Sequence, residues 1–118
     1  MSALRKATAE DALTLTRVMD RINQLTQDDL DKVGAWDGLR ELSSQTNLDM
    51  IDTGAENIAL DNNGNFEATA DVYVTLNYGP SNDGASFSDG YIATIRGHIA
   101  QDAVEIDGVS VDVSSFYE

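Results

Sequence analysis

The sequence has few of the residues that most often carry chemistry. Cysteine is absent from its 118 residues, and there is one histidine and one proline. Without cysteine there is no disulfide, no thiolate metal site and no cysteine nucleophile. The composition fits a reducing compartment, so we expect a cytoplasmic protein.

Long apolar runs are also missing. No run approaches the roughly 20 residues that a membrane-spanning helix needs. Residues 1–10 lack the apolar core of a secretory signal, so neither membrane binding nor export is expected. The apolar content of 42% is still sufficient for a folded core. The length predicts a single domain over residues 1–118.

Basic residues are scarce and unevenly placed. The chain has seven bases against 21 acids, for a net charge of −14. Residues 1–41 hold six of the bases and eight acids, whereas residues 42–118 hold thirteen acids and only Arg96. The resulting negative electrostatic field disfavours binding to nucleic acid and to anionic membranes, and it favours binding to a basic protein partner. Acidity also serves solubility, and an aspartate-rich composition suits a salty cytoplasm, so the charge alone does not require a partner.

Helical periodicity is confined to the N-terminal third. A first amphipathic helix is predicted over about 8–25, with Thr8 as N-cap and Asp11 completing a capping box. A second is predicted over about 27–45, starting from a cap at Thr26 and Asp29 and broken near Gly34–Asp37. Trp36 lies in that break, where it either packs across the helix joint or stacks on a ligand.

Strand periodicity follows. Apolar and polar residues alternate strictly from Phe66 to Tyr78, which predicts a long strand with one buried face. Further strands are predicted at 48–52, 57–61, 91–99 and 103–113, with a polar loop over 79–88. The predicted class is α+β, with the helices packed on one face of an antiparallel meander of three to five strands.

Two turns have a predicted geometry. A three-residue loop with Gly64 in the left-handed region pairs Leu60 with Phe66 and puts the apolar residues of both strands on one face. A two-residue turn would instead place Leu60 on the polar face. In the last strand the apolar phase shifts across Asp107-Gly108, which predicts a bulge or tight turn there.

Catalytic and metal-binding patterns are weak. His98 lies on the wet side of a predicted strand, and nothing in the spacing places Ser86, Ser88 or Asp89 against it. The loop from Asp61 begins like a calcium loop but lacks the glycine and the glutamate that such a loop requires. We therefore predict a protein that is not an enzyme and has no metal or other cofactor.

The wet face of the sheet is the best candidate for a function. Four residues are predicted to share it and to form a flat acidic patch with one aromatic anchor: Glu67, Asp71, Tyr73 and Asp112. Spaced carboxylates of this kind can occupy a cationic channel and exclude a polyanion. The alternative is a solvated sheet face without a partner.

Residues 66–118 resemble a known group of proteins. The segments ATADVYVTLNYG (68–79), SFSDGYIATIRGHI (86–99) and VSVDVSSFYE (109–118) are similar to β-rich C-terminal segments of predicted pPIWI-associated nucleases from prokaryotic conflict systems. The resemblance implies an accessory or binding module in bacterial or phage conflict. No catalytic residue can be assigned from this resemblance, because the chain has no nuclease motif.

Three functional hypotheses follow. The first is an acidic interaction protein that binds, and in the stronger form inhibits, a basic partner as an immunity or anti-defence protein. The second is a structural or accessory subunit of a phage or operon-encoded assembly. The third is a small hydrolase that uses His98 and aspartates. All three are compatible with a homo-oligomer, and none involves direct contact with nucleic acid.

Overall fold

In the part of the chain that the structure describes, the fold consists of three short α-helices, two 3-10 helices (Ala55–Asn57 and Ser114–Tyr117) and a six-stranded antiparallel sheet. The computed structural model describes residues 5–6, 12–43, 45–61, 63–78, 85–101 and 103–117. The helices are α1 (Ala12–Asn23), α2 (Gln27–Lys32) and α3 (Trp36–Arg40). The strands are β1 (Arg5–Lys6), β2 (Gln45–Asp52), β3 (Ile58–Leu60), β4 (Asn65–Tyr78), β5 (Ala85–Ala100) and β6 (Ala103–Asp112). The predicted α+β class is confirmed.

The sheet is organised around β4. Strands β2 and β3 lie end to end along one edge of β4, with β2 opposite residues 71–77 and β3 opposite residues 66–68. Strand β5 pairs with the other edge of β4 over its whole length. Strand β6 pairs only with residues 92–100 of β5. The meander from β3 to β6 is as predicted, and β1 adds a sixth strand beside β3.

The core lies between the helices and one face of the sheet. Alternate residues of β4 are buried, from Phe66 to Leu76, as the strict alternation predicts. The helices bury their apolar residues against this face. The largest fully buried side chains are Phe66, Ile22, Leu30, Leu39, Ile95, Val18, Val72 and Val74. The opposite face of the sheet carries the exposed residues of β4 and their cross-strand partners, and we call it the outer face.

The helix boundaries differ from the predicted ones. Thr8 and Asp11 lie outside the described residues. The cap of α2 is confirmed, because the Thr26 hydroxyl accepts the N–H of Asp29 (3.2 Å) while the Asp29 carboxylate accepts the N–H of Thr26 (2.9 Å). The predicted helix over 27–45 breaks between α2 and α3, where Gly34 has a φ of +77°. Its extension to residue 45 is wrong, since Gln45 already pairs with Asn77 in the sheet.

Trp36 is part of the core. It is the first residue of α3 and its exposed fraction is 2%. Of the two alternatives for Trp36, packing across the helix joint is therefore the correct one. Its ring is not accessible for stacking on a ligand.

The turn between β3 and β4 has the predicted register. Leu60 pairs with Phe66 and Ile58 with Ala68, and Gly64 has a φ of +88°. The Asp61 carboxylate accepts the backbone N–H groups of Asn63 (2.8 Å) and Asn65 (2.9 Å) and the side-chain amide of Asn65 (2.8 Å). These bonds, chiefly that from the Asn65 amide, lower the pKa of Asp61. Asp61 thus closes the turn from within.

Two bulges shift the side-chain phase of their strands, and one strand is longer than predicted. The predicted irregularity at Asp107-Gly108 is confirmed, because Asp107 is an extra residue between the partners of Arg96 and Gly97. A second bulge, at Asp49 in β2, was not predicted. The predicted loop over 79–88 is wrong for residues 85–88, which extend β5. Hairpin pairing with β4 there outweighs the low strand propensity of serine.

Candidate functional site

All four predicted binding residues lie on the outer face. The face carries the alternate residues of β4 that include Glu67, Asp71 and Tyr73, together with their cross-strand partners. Asp112, the last residue of β6, joins them through its pairing with Ile92. The sheet therefore gathers on one surface residues that are far apart in the chain.

Three aspartates form a single row across the outer face. Asp52 of β2 lies directly opposite Asp71 of β4, Asp71 lies opposite Ile92 of β5, and Ile92 lies opposite Asp112 of β6. All three carboxylates are on exposed residues. We call Asp52, Asp71 and Asp112 the aspartate row. Strand spacing puts Asp52 about 5 Å and Asp112 about 10 Å from Asp71.

The aspartate row takes no part in the ion pairs that the structure describes. Those pairs join Arg40 to Asp31 and Asp37, Arg96 to Glu67, and His98 to Asp107. Like charges directly opposite each other on neighbouring strands are destabilising. The pair of Asp52 and Asp71 is therefore unfavourable for the isolated domain.

Asp112 is held in the ionised form. Its carboxylate accepts hydrogen bonds from Ser114, including the backbone N–H at 2.9 Å. The side-chain and then the backbone hydrogen bond from Ser114 lower the pKa of Asp112. This end of the aspartate row therefore keeps its charge further into the acid range than an isolated aspartate.

Exposed apolar side chains border the aspartate row. Ile92 lies within it, and the next row pairs Tyr73 with Met50 on one side and Gly90 on the other. The exposed fractions are 59% for Ile92, 52% for Met50 and 40% for Tyr73. The Tyr73 ring lies over Gly90, where a Cβ would be only 3.2 Å from it. The surface thus combines carboxylates with apolar area in adjacent rows.

Glu67 differs from the other predicted residues. It lies opposite Arg96, and Arg96 Nε is 3.1 Å from Glu67 Oε2. Arg96 also lines a shallow depression of about 350 Å³ with Thr94 and Ser110. The face is therefore polar and locally balanced at Glu67, and its net negative charge is concentrated towards Asp71.

Sequence reasoning missed three residues of this surface: Met50, Asp52 and Ile92. For β2 the reason is the bulge at Asp49, which shifts the side-chain phase within a short strand. Leu48 and Ile51 both face the core although they are three residues apart. That spacing was the available signal for a bulge.

His98 is paired with an acid at the far end of β5. Its Nδ1 lies 2.8 Å from Asp107 Oδ2, the bulge residue of β6. The nearest of the three residues considered as its partners, Asp89, is on the same extended strand and therefore about 30 Å away. None of the described residues belongs to a cluster of three or more acidic or histidine groups suited to a metal ion.

The His98 pair predicts a pH dependence of stability. The hydrogen bond with Asp107 raises the pKa of His98 above its ordinary value of 6.5, and the charges of Asp107 and Glu105 act in the same direction. The pair's contribution to stability is therefore complete below pH 6.5 and is lost as the pH rises through the folded pKa. Urea unfolding between about pH 5.5 and 8.5 should show this loss in the native protein.

Two variants test the assignment of that pH dependence. His98→Gln should remove this pH dependence, and Asp107→Asn should remove most of it, because only the charge of Glu105 then still raises the pKa of His98. An undiminished slope in Asp107→Asn would assign the titration to another contact of His98.

Comparison with known proteins gives no match: no family model, no curated protein and no solved structure is significantly similar to the chain. None of the described helices is long and apolar enough to cross a membrane.

Proposed function

We propose that this protein is a non-catalytic acidic interaction domain that binds a basic segment of a protein partner through the outer face. The observation that carries the proposal is the direct opposition of Asp52 and Asp71, neither of which takes part in a described ion pair. Violations of sheet-pairing rules are expected where a surface serves binding. A cationic side chain from a partner would relieve the repulsion.

The apolar neighbours add what charge alone does not supply. Charge complementarity accelerates encounter and sets specificity, whereas buried aromatic and apolar anchors provide most of the affinity. Tyr73, Met50 and Ile92 are exposed beside the aspartate row and offer such anchors. The partner surface that fits is therefore basic and partly apolar.

The setting of this function is part of the proposal. The resemblance of residues 66–118 to segments of conflict-system proteins supports an inhibitor or immunity role in bacteria or phage, acting in the cytoplasm. The alternative, an accessory subunit of a larger assembly, would use the same exposed apolar residues. The two differ in salt dependence, because a packed subunit interface is screened much less than a surface ion-pair contact.

Partner capture with charge-reversal variants tests the proposal. Tagged wild-type protein and the variant Asp52→Lys/Asp71→Lys are used to capture proteins from the host, and the affinity of the captured partner is then measured by calorimetry. We expect a basic partner whose affinity falls at least about tenfold in the variant and falls steeply with salt. A salt-independent interaction would favour the assembly subunit.

Asp20→Lys/Glu41→Lys is the matched control. It changes the net charge by the same amount at exposed positions of α1 and the end of α3, away from the outer face. It should keep the affinity within about threefold of wild type, since only long-range attraction changes. Equal losses in both double variants would refute a specific site. Asp71→Asn adds a second readout, because removing the repulsion should raise the free energy of unfolding by about 0.5 kcal/mol while weakening binding.

A further inference from the structure

One stretch of β5 has no neighbouring strand on one side. β6 ends opposite Ile92, yet β5 begins at Ala85, so the edge of residues 86–90 is open within the described part of the chain. All five of these residues are exposed. We infer that residues 86–90 accept an extended basic segment of the partner as an added strand. The basic character of this segment rests on the proposed function.

The backbone direction supports this inference. The N–H of Ile99 donates to the carbonyl of Gly64 on the β4 side (2.8 Å). Residues of an antiparallel strand alternate between its two edges, so Ser86, Ser88 and Gly90 point their backbone groups to the open edge. The Gly90 N–H is accepted by the Asp89 carboxylate (2.8 Å). The backbone N–H and C=O groups of Ser86 and Ser88 therefore have the orientation needed to pair with an added strand.

The edge of β2 that points away from β4 is covered by side chains, whereas within the described residues the open edge of residues 86–90 is not. There, Asn23 Oδ1 accepts the N–H of Thr53 (3.0 Å) and Gln27 Oε1 accepts the N–H of Leu48 (3.4 Å). Side-chain cover of this kind prevents unwanted strand addition. The two amide side chains come from the end of α1 and the start of α2, so the helices guard this edge.

The other described edges are protected by shape. β6 carries its bulge at Asp107, and the described part of β1 is two residues long. Bulges and very short strands both discourage edge pairing. The pairing of β4 with β5 has a continuous register with no bulge, so residues 86–90 present a straight edge.

Charge and space select the occupant. Asp112 marks the end of β6 beside the open stretch, on the outer face, and Asp89 lies within the stretch on the opposite face. On the outer face Ser86, Ser88 and Gly90 are small and leave room for long side chains. On the other face Phe87 is 57% exposed and offers an apolar contact. An extended segment that alternates basic and apolar residues fits both faces, whereas a second copy would bring the same aspartates and another net charge of −14 against them.

A proline substitution tests the edge without removing β5. The N–H of Ser88 points to the open edge, and proline is tolerated in a strand where its missing N–H faces solvent. Ser88→Pro should therefore fold but block the added strand, whereas the matched control Ser88→Ala keeps the N–H. The fold of both variants is checked by circular dichroism and Trp36 fluorescence.

The first probe is a capped peptide of about eight residues that alternates lysine and valine. We expect its Kd to rise at least about tenfold in Ser88→Pro and to stay within about twofold in Ser88→Ala. A peptide with alternating glutamate and valine should not bind. Equal affinity of the lysine peptide for both variants would overturn the inference.

Amide hydrogen exchange gives a test that needs no variant. The lysine peptide should slow exchange at Ser86 and Ser88 in the wild-type protein, because their N–H groups become strand hydrogen bonds. Unchanged exchange at both positions would overturn the inference even if Ser88→Pro fails to fold. Concentration-dependent dimers that Ser88→Pro abolishes would also overturn it, in favour of a second copy as occupant.

The captured partner separates this inference from the proposed function. If the partner binds Ser88→Pro normally and loses affinity for Asp52→Lys/Asp71→Lys, the proposed function stands and the added strand is refuted. If Ser88→Pro lowers the affinity and the charge reversal does not, strand addition stands and the aspartate row is refuted as the site.

Discussion

Gly97→Ala is expected to lower the free energy of unfolding by about 3 kcal/mol, in the upper range for overpacking a core. A Cβ at Gly97 would lie 2.1 Å from the carbonyl oxygen of Glu105 and 2.6 Å from Cζ of Phe66. The carbonyl belongs to β6 next to its bulge, and Phe66 is fully buried, so neither atom can move away without disturbing the sheet. Urea unfolding followed by Trp36 fluorescence measures the loss.

Gly108→Ala is the control for this prediction. Gly108 lies in the neighbouring strand opposite Arg96, and a Cβ there has no atom within 4 Å. Its effect should stay below about 1 kcal/mol, the ordinary range for an uncrowded glycine position. Phe66→Leu should recover only part of the Gly97→Ala loss, because the contact with the Glu105 carbonyl remains. Full recovery would show that the aromatic ring alone excludes the methyl group.

Trp36→Ala is expected to lower the free energy of unfolding by about 3–5 kcal/mol, since it removes a large side chain from the core. Domains of this kind have total stabilities of about 5–15 kcal/mol, so this loss would be a large fraction of the total free energy of unfolding. Because Trp36 is the sole tryptophan, circular dichroism in urea is the suitable measurement.

Two variants bracket the Trp36 result. Trp36→Phe keeps most of the buried volume and should lose clearly less stability than Trp36→Ala. Phe87→Ala removes an aromatic ring that is 57% exposed and contacts the ring of Tyr78 edge-on at 6.0 Å between centroids. Its loss should be about 1 kcal/mol or less. A Trp36→Ala variant as stable as Phe87→Ala would contradict the core assignment.

The two proposed binding features adjoin each other on the sheet. The aspartate row ends at Asp112, and the open edge of β5 begins just beyond the residue opposite it, Ile92. A partner segment added beside residues 86–90 would therefore continue the line of β6 and place its neighbouring residues near the row. The ion pair of Glu67 with Arg96 lies further along the face and serves the domain itself.

Local pattern predicted the strands because burial repeats with the period of the backbone. The alternation from Phe66 to Tyr78 predicted which residues of β4 face the core, from Phe66 to Leu76. The turn at Gly64 was predictable for the same reason, since a slip by one residue would have exposed Leu60. The sequence also placed Asp71, Tyr73 and Asp112 on one face, and the composition alone determined the charge.

Only the tertiary structure decided which side chains meet across strands. The opposition of Asp52 to Asp71 depends on the pairing of β2 with β4 and on the bulge at Asp49, and neither leaves a periodic signal in so short a strand. The extension of β5 to Ala85, and with it the open edge, arises from pairing with β4 and not from local propensity. Burial of the whole sheet against the helices determines which residues become cross-strand neighbours. The sequence by itself therefore determined the acidic composition, and the tertiary structure determined the aspartate row.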